Sequence, residues 1–300
     1  MAVWPNLFIA GAPRCGTTSL HAWLHQIPGI WMSRIKEPNY FSRQAIADDD
    51  PLVKPIRDDA RYLALFDGAG EARYRGEASP NYLEDPGAPA MILERSPDAR
   101  VIVSLRDPVE RLYSIYLMFR NNVSGLGSFA EEVERGLANA PGRRRKVLRA
   151  DTGLYAAQVE RYRRAFGHAR FKILVFEDMI ADVPAALRDV LQFLAIEHSV
   201  EGFSEPQQRQ YGEARGPLVR FLFGNRLISR AAERFVPYRL RKQVRNRFLV
   251  KPAVKQEMEP ETRAMLVRYY RDDVARLEEM LGRRLPWRNF AGDLPSERAG

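Results

Sequence analysis

The sequence predicts an α/β fold, in which a P-loop-like parallel β-sheet is flanked by helices on both faces. Short apolar segments alternate with amphipathic segments along most of the chain, a pattern typical of a parallel sheet covered by helices. A glycine-containing turn joins the first apolar segment to the first amphipathic one. Between Arg209 and Lys255 the chain carries thirteen Lys and Arg residues against two Glu. We therefore expect a basic helical flank or lid over about residues 204–260.

Length and composition allow one large α/β domain or two small ones. The chain has 300 residues, of which 45% are hydrophobic, and the alternation of strands and helices favours a single domain over residues 1–300. A lone cysteine excludes an intrachain disulfide bond, which fits a reducing compartment. The first residues lack the basic start of a secretory signal, and no apolar run approaches the ~20 residues of a membrane span. We expect a soluble, cytoplasmic protein.

The first strand, turn and helix predict an anion-binding site. The apolar run Asn6–Ala10 is typical of a buried strand. Gly11 and Gly16 after it have the spacing of a phosphate-binding P-loop, G-x-x-x-x-G-K-S/T, but Thr17 stands at the lysine position and the nearest cation is Arg14. A helix follows, because apolar residues recur at helical spacing: Leu20, Trp23, Leu24 and Ile27. Backbone N–H groups at such a helix N-terminus bind anions.

Strands and helices continue to alternate after this unit. Tyr74–Ala78 predicts a second strand, which ends at Ser79-Pro80. Arg100–Leu105 predicts a third, and Asp107 and Pro108 are typical of the N-cap and first turn of the helix that follows. The later predictions are an exposed basic loop or helix start at Gly142–Lys146, a helix at about Leu154–Phe166, a strand at Phe171–Phe176, and helices at about Val183–Leu194 and Pro260–Leu281.

A second anion site is predicted at the end of the strand Arg100–Leu105. Arg106 follows that strand directly, and Ser114 lies two turns into the next helix. Ligands of open α/β sheets bind outside the carboxyl ends of the strands, where an arginine and a hydroxyl can hold a phosphate. The alternative is that Arg106 only pairs with Asp107 or Glu110 on the surface.

The two anion motifs together resemble those of the sulfotransferases that use 3′-phosphoadenosine 5′-phosphosulfate (PAPS). The loop Gly11–Leu20 is similar to their 5′-phosphosulfate loop, and Arg106 with Ser114 is similar to their 3′-phosphate site. Other segments resemble bacterial relatives of the heparan-sulfate-type carbohydrate sulfotransferases: Lys36–Phe41, Gly76–Tyr82, Gly153–Tyr155, Phe176–Asp178 and the closing helix through Trp287.

This resemblance implies transfer of a sulfuryl group from PAPS to an acceptor hydroxyl by in-line displacement, with no metal required. Arg14 would stabilise the leaving phosphate. Glu37 would be the general base, and Lys36 would either bind the transferring sulfonate or hold Glu37 ionised. The residues that would bind the co-substrate are Pro13, Arg14, Cys15, Gly16, Thr17, Thr18 and Ser19, with Arg106 and Ser114.

Three features depart from the pattern of these relatives. Arg14 stands where this branch usually has lysine, and arginine can fork onto two oxygens but cannot give up a proton at neutral pH. Ala78 replaces a lysine of the heparan-modifying enzymes, which argues against a heparan-like acceptor. The late cofactor loop of the family is not evident, and Arg215, within Ala214-Arg-Gly216, is the candidate for that role.

Acceptor, partners and rival functions stay open on the sequence alone. A carbohydrate or glycolipid hydroxyl is the first expectation for the acceptor, and a phenolic or polyketide natural product is the second. A P-loop kinase or NTPase is the alternative enzyme, disfavoured by Thr17 at the lysine position. A non-enzymatic module would bind an anionic membrane or another polyanion through residues 209–255. No specific nucleic-acid partner is expected, and the oligomeric state is not determined.

Three sites also have a purely structural alternative. Lys36-Glu37 can be an exposed charged pair before a proline turn. Cys15 can be a reactive thiol at a helix N-terminus or a small buried residue. Glu77 can orient the site or be a buried structural carboxylate.

Overall fold

The computed structural model describes residues 3–46, 53–120, 126–138, 148–203, 212–214, 250–252 and 257–291. The predictions for Arg215, for Gly142–Lys146 and for most of residues 204–260 lie outside these ranges. The chain divides into two compact units, one of Met1–Arg111, Ala150–Pro206 and Met265–Gly300, the other of Leu112–Arg149 and Gln207–Ala264. The single domain stays a prediction.

The first unit is built on a five-stranded sheet in the order β2-β3-β1-β4-β5. All of its pairings are parallel, as the sequence predicts. Leu7 of the central strand lies opposite Gly76 on one side and Arg100 on the other. The strands are β1 (Leu7–Gly11), β2 (Ile30–Met32), β3 (Tyr74–Ala78), β4 (Arg100–Leu105) and β5 (Phe171–Val175).

Helices cover both faces of this sheet. Leu7 and Ile9 of β1 share a buried cluster with residues of α1 and α8, whereas Phe8, between them, packs its ring edge-on against Phe41 on the opposite face. The described helices are α1 (Thr17–Leu24), α2 (Asp59–Leu63), α3 (Ala88–Arg95), α4 (Pro108–Arg120), α5 (Phe129–Leu137), α6 (Ala156–Arg170), α7 (Phe176–Ala181), α8 (Val183–Leu194) and α9 (Pro260–Leu281), with 3-10 turns at Ala64–Phe66, Pro80–Tyr82 and Ala150–Gly153.

Most predicted elements are confirmed, four of them to the residue: β3, β4, α8 and α9. The sequence missed β2, α2, α3, α5 and α7. Three residues of β2 are too few to show a period. In contrast, the start of α5 could have been predicted from the sequence, because Ser128 and Glu131 form a capping box there. None of the helices described here is long and apolar enough to cross a membrane.

The second unit contains most of α4, α5 and a short antiparallel ribbon. Rings of Tyr113 and Tyr116 on α4 pack against Phe129 of α5, with centroids 4.9 and 5.2 Å away. The ribbon pairs β6 (Gly212–Ala214) with β7 (Val250–Pro252). For these six residues the prediction of a helical flank is wrong, because the backbone pairs with a distant segment that no local period reveals.

Candidate active site

The phosphate loop between β1 and α1 contains two residues with positive φ. Arg14 has a φ of 70° and Gly16 a φ of 79°, in the left-handed region that favours glycine. A Cβ at Gly16 would overlap the terminal methyl of Met179, so that flexible side chain would have to shift. Gly16 caps α1, and its carbonyl accepts from the N–H groups of Ser19 and Leu20 at 2.9 and 3.1 Å. The earlier N–H groups of the turn are the kind that bind anions.

Hydrogen bonds fix this loop to the end of β4. The Ala12 N–H donates to the Ser104 carbonyl at 2.6 Å, and the Ser104 hydroxyl donates to the Cys15 carbonyl at 2.6 Å. Cys15 is fully buried, and this burial raises the pKa of its thiol to about 11. The reactive-thiol alternative is therefore wrong, and Cys15 is a small buried residue of the loop.

Arg106 follows β4 and contacts the phosphate loop. Its Nη1 donates to the Arg14 carbonyl at 3.3 Å, and its guanidinium carbon lies 4.7 Å from the centroid of the Phe176 ring. Its Nε is buried and has no hydrogen-bond partner in the part of the chain that the structure describes. Leaving a buried donor unpaired costs free energy. An anion bound beside the loop would satisfy it.

Asp107 and Glu177 hold the turn that carries Arg106. Asp107 Oδ1 accepts from first-turn N–H groups of α4 at 3.0 and 3.3 Å, as predicted for an N-cap, and its Oδ2 accepts from Asn289 Nδ2 at 2.8 Å. Glu177 accepts from the Asp107 N–H at 3.2 Å and from Trp287 Nε1 at 3.0 Å. Burial raises the pKa of both carboxyl groups. Asp107 is therefore buried, caps α4 and binds Asn289 near the end of the described chain. The alternative that it pairs with Arg106 on the surface is wrong.

Lys36 and Glu37 lie in the loop after β2, against the carboxyl end of β3. The Glu37 N–H donates to the Ala78 carbonyl at 2.9 Å. Lys36 Nζ donates to Glu37 Oε1 at 2.5 Å, and the two side chains are 21% and 48% exposed. About half of the Glu37 side chain is therefore accessible to solvent, and its carboxylate contacts the Lys36 ammonium group.

The turn that contains Glu37 has an unusual backbone, which side chains stabilise. Glu37 and Asn39 have φ values of 62° and 49°. The Asn39 N–H donates to Ser79 Oγ at 3.0 Å, and Asn39 Nδ2 donates to the Glu37 carbonyl at 2.9 Å. Asn81 Nδ2 in turn donates to Asn39 Oδ1 at 3.2 Å. The segment after β3 thus holds the segment after β2.

Glu77, in β3, is fully buried beneath this turn. Its Oε1 accepts from the hydroxyls of Tyr62, at 3.0 Å, and Tyr82, while its Oε2 accepts from the Ser79 hydroxyl at 2.7 Å. Burial raises the pKa of Glu77 to about 7. The carboxylate is thus surrounded by hydroxyl donors.

Arg57 binds backbone carbonyls of residues 39–46 in the same loop. Its Nη1 donates to the carbonyls of Asn39 and Tyr40 at 3.1 and 3.3 Å, and its Nη2 to those of Ser42 and Ile46 at 2.9 and 2.8 Å. One guanidinium group therefore binds four backbone carbonyls. The sequence did not predict this role, because a side chain that binds only carbonyls leaves no residue pattern among its partners.

The parallel sheet brings the predicted site residues to one edge. Arg14 follows β1, Lys36 and Glu37 follow β2, and Arg106 follows β4, each at a carboxyl end, where open α/β sheets bind their ligands. A cavity of about 470 Å³, lined by the connection from α1 to β2, the start of β2 and residues before β3, lies at the opposite, amino-terminal ends of the strands. It is therefore remote from these residues.

The remaining predicted residues are placed as follows. Thr17 is buried and Thr18 is exposed, while Pro13 and Ser19 are half-buried. Ser114 is buried on α4, and its participation with Arg106 in one phosphate site stays a prediction. Within the described ranges no group of three or more His, Cys, Asp or Glu residues is arranged to hold a metal ion.

Supporting residues that the sequence did not single out include Ser104, Asn39 and Glu177. Asn39 lies in the segment Lys36–Phe41 and Glu177 in Phe176–Asp178, so the resemblance pointed to their segments without giving their contacts.

The family model and the curated relatives that match this chain all point to one family. The model of the sulfotransferase domain family matches residues 5–211. Human carbohydrate sulfotransferase 15 is 29% identical over 248 residues, which cover 63% of this chain and 43% of the human protein. Mouse heparan sulfate glucosamine 3-O-sulfotransferase 6 is 28% identical over 198 residues, covering 66% of this chain and 54% of the mouse protein. The chain thus spans about half the length of these curated relatives.

A solved structure matches nearly the whole chain. The crystal structure of a sulfotransferase from Alicyclobacillus acidocaldarius is 29% identical, with a TM-score of 0.70, and the match covers 94% of this chain and 98% of that one. The family match includes the phosphate loop, the Lys36–Glu37 turn and Arg106. The chain belongs to the sulfotransferase domain family.

Proposed function

We propose that this protein is a PAPS-dependent sulfotransferase that acts on a hydroxyl of a carbohydrate, glycolipid or other small molecule. The observation that carries the proposal is the buried Nε of Arg106, which has no hydrogen-bond partner among the described residues and lies beside a phosphate loop with Thr17 at the lysine position of nucleotidases. Family membership supports the reaction. The names of the curated relatives support a carbohydrate acceptor.

The residues at this edge fit PAPS as a co-substrate. PAPS would supply the sulfuryl group and leave as the 3′,5′-bisphosphate. Arg14 and the first-turn N–H groups of α1 would hold the phosphosulfate end, together with nearby hydroxyls. The Arg106 guanidinium and Ser114 would hold the 3′-phosphate. The hydroxyls are those of Thr17, Thr18 and Ser19.

Glu37 and Lys36 would act on the acceptor. The acceptor oxygen forms a bond to sulfur while the bond from sulfur to the bridging oxygen breaks, and the hydroxyl proton moves to Glu37. Such general-base help is typically worth ~10²–10⁴-fold. The Lys36–Glu37 contact supports a role for Lys36 in holding Glu37 ionised. Charge on the leaving phosphate would be stabilised by Arg14.

The acceptor class follows from weaker observations. Ala78 is fully buried at the end of β3, where heparan-modifying relatives are expected to have lysine, so a carbohydrate or glycolipid other than heparan is favoured. A phenolic or polyketide product is the second choice. Purified protein with PAPS and an extract of the source cells should yield a product heavier by one SO₃ group, detected by mass spectrometry.

Calorimetric titration with adenosine 3′,5′-bisphosphate tests the co-substrate directly. We expect Arg106→Ala to weaken binding of the bisphosphate ~10–100-fold, because a charge-assisted hydrogen bond to phosphate is lost. Binding of adenosine 5′-monophosphate, which lacks the 3′-phosphate, should change little. Arg61→Ala, at an exposed position of α2, is the control. A bisphosphate that binds no better than the monophosphate would contradict the proposal.

The same titration separates the rival functions. Tighter binding of ATP–Mg, with no response to the bisphosphate, would favour a P-loop kinase or NTPase. A non-enzymatic basic module would bind anionic lipid vesicles through residues 209–255. In that case Arg14→Ala and Arg106→Ala would leave binding unchanged, and neutralising the basic segment would abolish it.

A further inference from the structure

Glu77 is a buried carboxylate that the proposed reaction does not use. It lies in β3 with no exposed surface, and three hydroxyl groups, from Tyr62, Tyr82 and Ser79, donate to it. Burying an ionisable carboxyl group costs free energy that an apolar side chain would not. The surrounding hydroxyls lower that cost, but they also connect the group to the Lys36–Glu37 turn.

The connection runs through a hydroxyl that both donates and accepts. Ser79 Oγ donates to Glu77 Oε2 at 2.7 Å and accepts the Asn39 N–H at 3.0 Å. A serine hydroxyl has one proton. When that proton points at Glu77, a lone pair of the oxygen stays available to Asn39. Glu77 thereby sets the direction of the hydrogen bond that holds Asn39.

Asn39 transmits this constraint to Glu37. Its side chain donates to the Glu37 carbonyl at 2.9 Å, and both residues have positive φ. Positive φ is unfavourable for a residue such as glutamate, so the turn persists only while neighbouring groups hold it.

We propose that Glu77 is a positioning residue, whose carboxylate acts through Ser79 and Asn39 to hold Glu37 in the orientation needed for sulfuryl transfer. The inference rests on the proposed transfer reaction. It adds a residue that does not touch substrate and explains why a carboxylate, and not an apolar side chain, occupies this place in β3.

The protonation state of Glu77 should then affect the turn. Burial raises its pKa to about 7, and the Lys36 charge acts against this shift. Tyr62 and Tyr82 face it from α2 and the Pro80–Tyr82 turn, and Tyr162 of α6 also interacts with it electrostatically. The pKa values of these tyrosines are raised well above their usual range by burial, so they stay neutral near pH 7.

Glu77→Gln tests this geometry with little change in volume. The glutamine oxygen can still accept from the two tyrosines, but its NH₂ group then faces Ser79 Oγ and reverses the polarity of that contact. We expect kcat to fall ~10–100-fold, the cost of a small misplacement of a reacting group. The dissociation constant of adenosine 3′,5′-bisphosphate should stay within ~2-fold. The decline in kcat of the parent protein below about pH 7 should be absent from the variant.

Two further variants give controls. Ser79→Ala removes the relay, and we expect a similar fall in kcat that does not add to that of Glu77→Gln, since both act in one chain. Tyr74→Phe, also in β3, removes a buried hydroxyl that donates to the Leu194 carbonyl at 2.8 Å. It should lower stability without changing kcat.

Hydrogen exchange of a peptide spanning residues 36–42 tests the positioning without any acceptor. Amides of this peptide should exchange ~10-fold faster in Glu77→Gln and Ser79→Ala than in the parent. Their exchange rates in Tyr74→Phe should equal those of the parent. Parent-like exchange and kcat in Ser79→Ala, or additive losses, would overturn the inference even if Glu77→Gln does not fold. A parent protein that neither binds the bisphosphate nor transfers sulfate would instead overturn the proposed function.

Discussion

At the scale of single residues, the site concentrates unusual backbone conformations. Arg14 and Glu37 have positive φ although neither is glycine, and such residues cluster at functional sites because the surrounding structure must hold them there. Both are residues that the proposed mechanism places next to reacting groups. The conformation of each is held by hydrogen-bonded neighbours on another strand end.

Glu37→Gln is the sharpest test at this scale. The amide keeps the shape of the side chain but cannot take the acceptor proton, so we expect kcat to fall ~10²–10⁴-fold. The dissociation constant of adenosine 3′,5′-bisphosphate should be unchanged. Glu94→Gln, at an exposed position of α3, is the matched control. Transfer at the parent rate would remove Glu37 from the mechanism.

At the scale of elements, loops at the carboxyl ends of the strands depend on a few long-range contacts. The described residues between β2 and α2, 33–46 and 53–58, form no helix or strand, and the four carbonyls that Arg57 binds fix the path of residues 39–46. Because lysine has a compact ammonium group, it cannot reproduce this planar fork.

Arg57→Ala should therefore destabilise the protein. Four carbonyls would lose a charged donor, and we expect the free energy of unfolding to fall by about 2–4 kcal/mol, measured by urea denaturation. Arg57→Lys should recover only part of the loss. Arg61→Ala, on the exposed face of neighbouring α2, should change stability by less than ~0.5 kcal/mol. Equal stability of the alanine and parent proteins would show that the clamp is dispensable.

At the scale of the whole molecule, the buried Glu77 and the half-buried His21 make stability depend on pH with opposite signs. Burial raises the pKa of Glu77 to about 7. The stability it contributes is therefore present below its ordinary pKa and is lost as pH rises through about 7. Burial lowers the pKa of His21, on α1, to about 4, so its contribution is present above its ordinary pKa and is lost as pH falls towards 4.

Urea denaturation between about pH 4 and 8 checks this dependence. The stability of the parent relative to Glu77→Gln should fall by about 2 kcal/mol between pH 5 and 7.5, since each pKa unit is worth about 1.4 kcal/mol and the fall levels off near pH 7. His21→Gln should change the slope in the opposite direction, between pH 6.5 and 4. A difference between parent and Glu77→Gln that is constant with pH would contradict the burial of an ionisable Glu77.

Much of the fold was predictable because many of its strands and helices have a recognisable pattern within their own residues. The strand β4 is a near-continuous apolar run and β3 ends just before Ser79-Pro80, whereas α8 and α9 have apolar residues at helical spacing. In contrast, β2 is too short for a pattern, and the ribbon of β6 and β7 depends on pairing between distant segments. The cytoplasmic location and the single domain stay predictions.

The sequence by itself determined the phosphate loop, the charged Lys36-Glu37 pair and the arginine after β4, because each is encoded by neighbouring residues of fixed type and spacing. Only the tertiary structure decided that Cys15 is buried and that the buried Nε of Arg106 has no partner among the described residues. It also decided that hydrogen bonds through Ser79 and Asn39 connect Glu77 to Glu37. Asn39 and Ser79 are 40 residues apart in the chain. They meet because the parallel strands β2 and β3 place their carboxyl ends side by side. No local pattern contains that alignment.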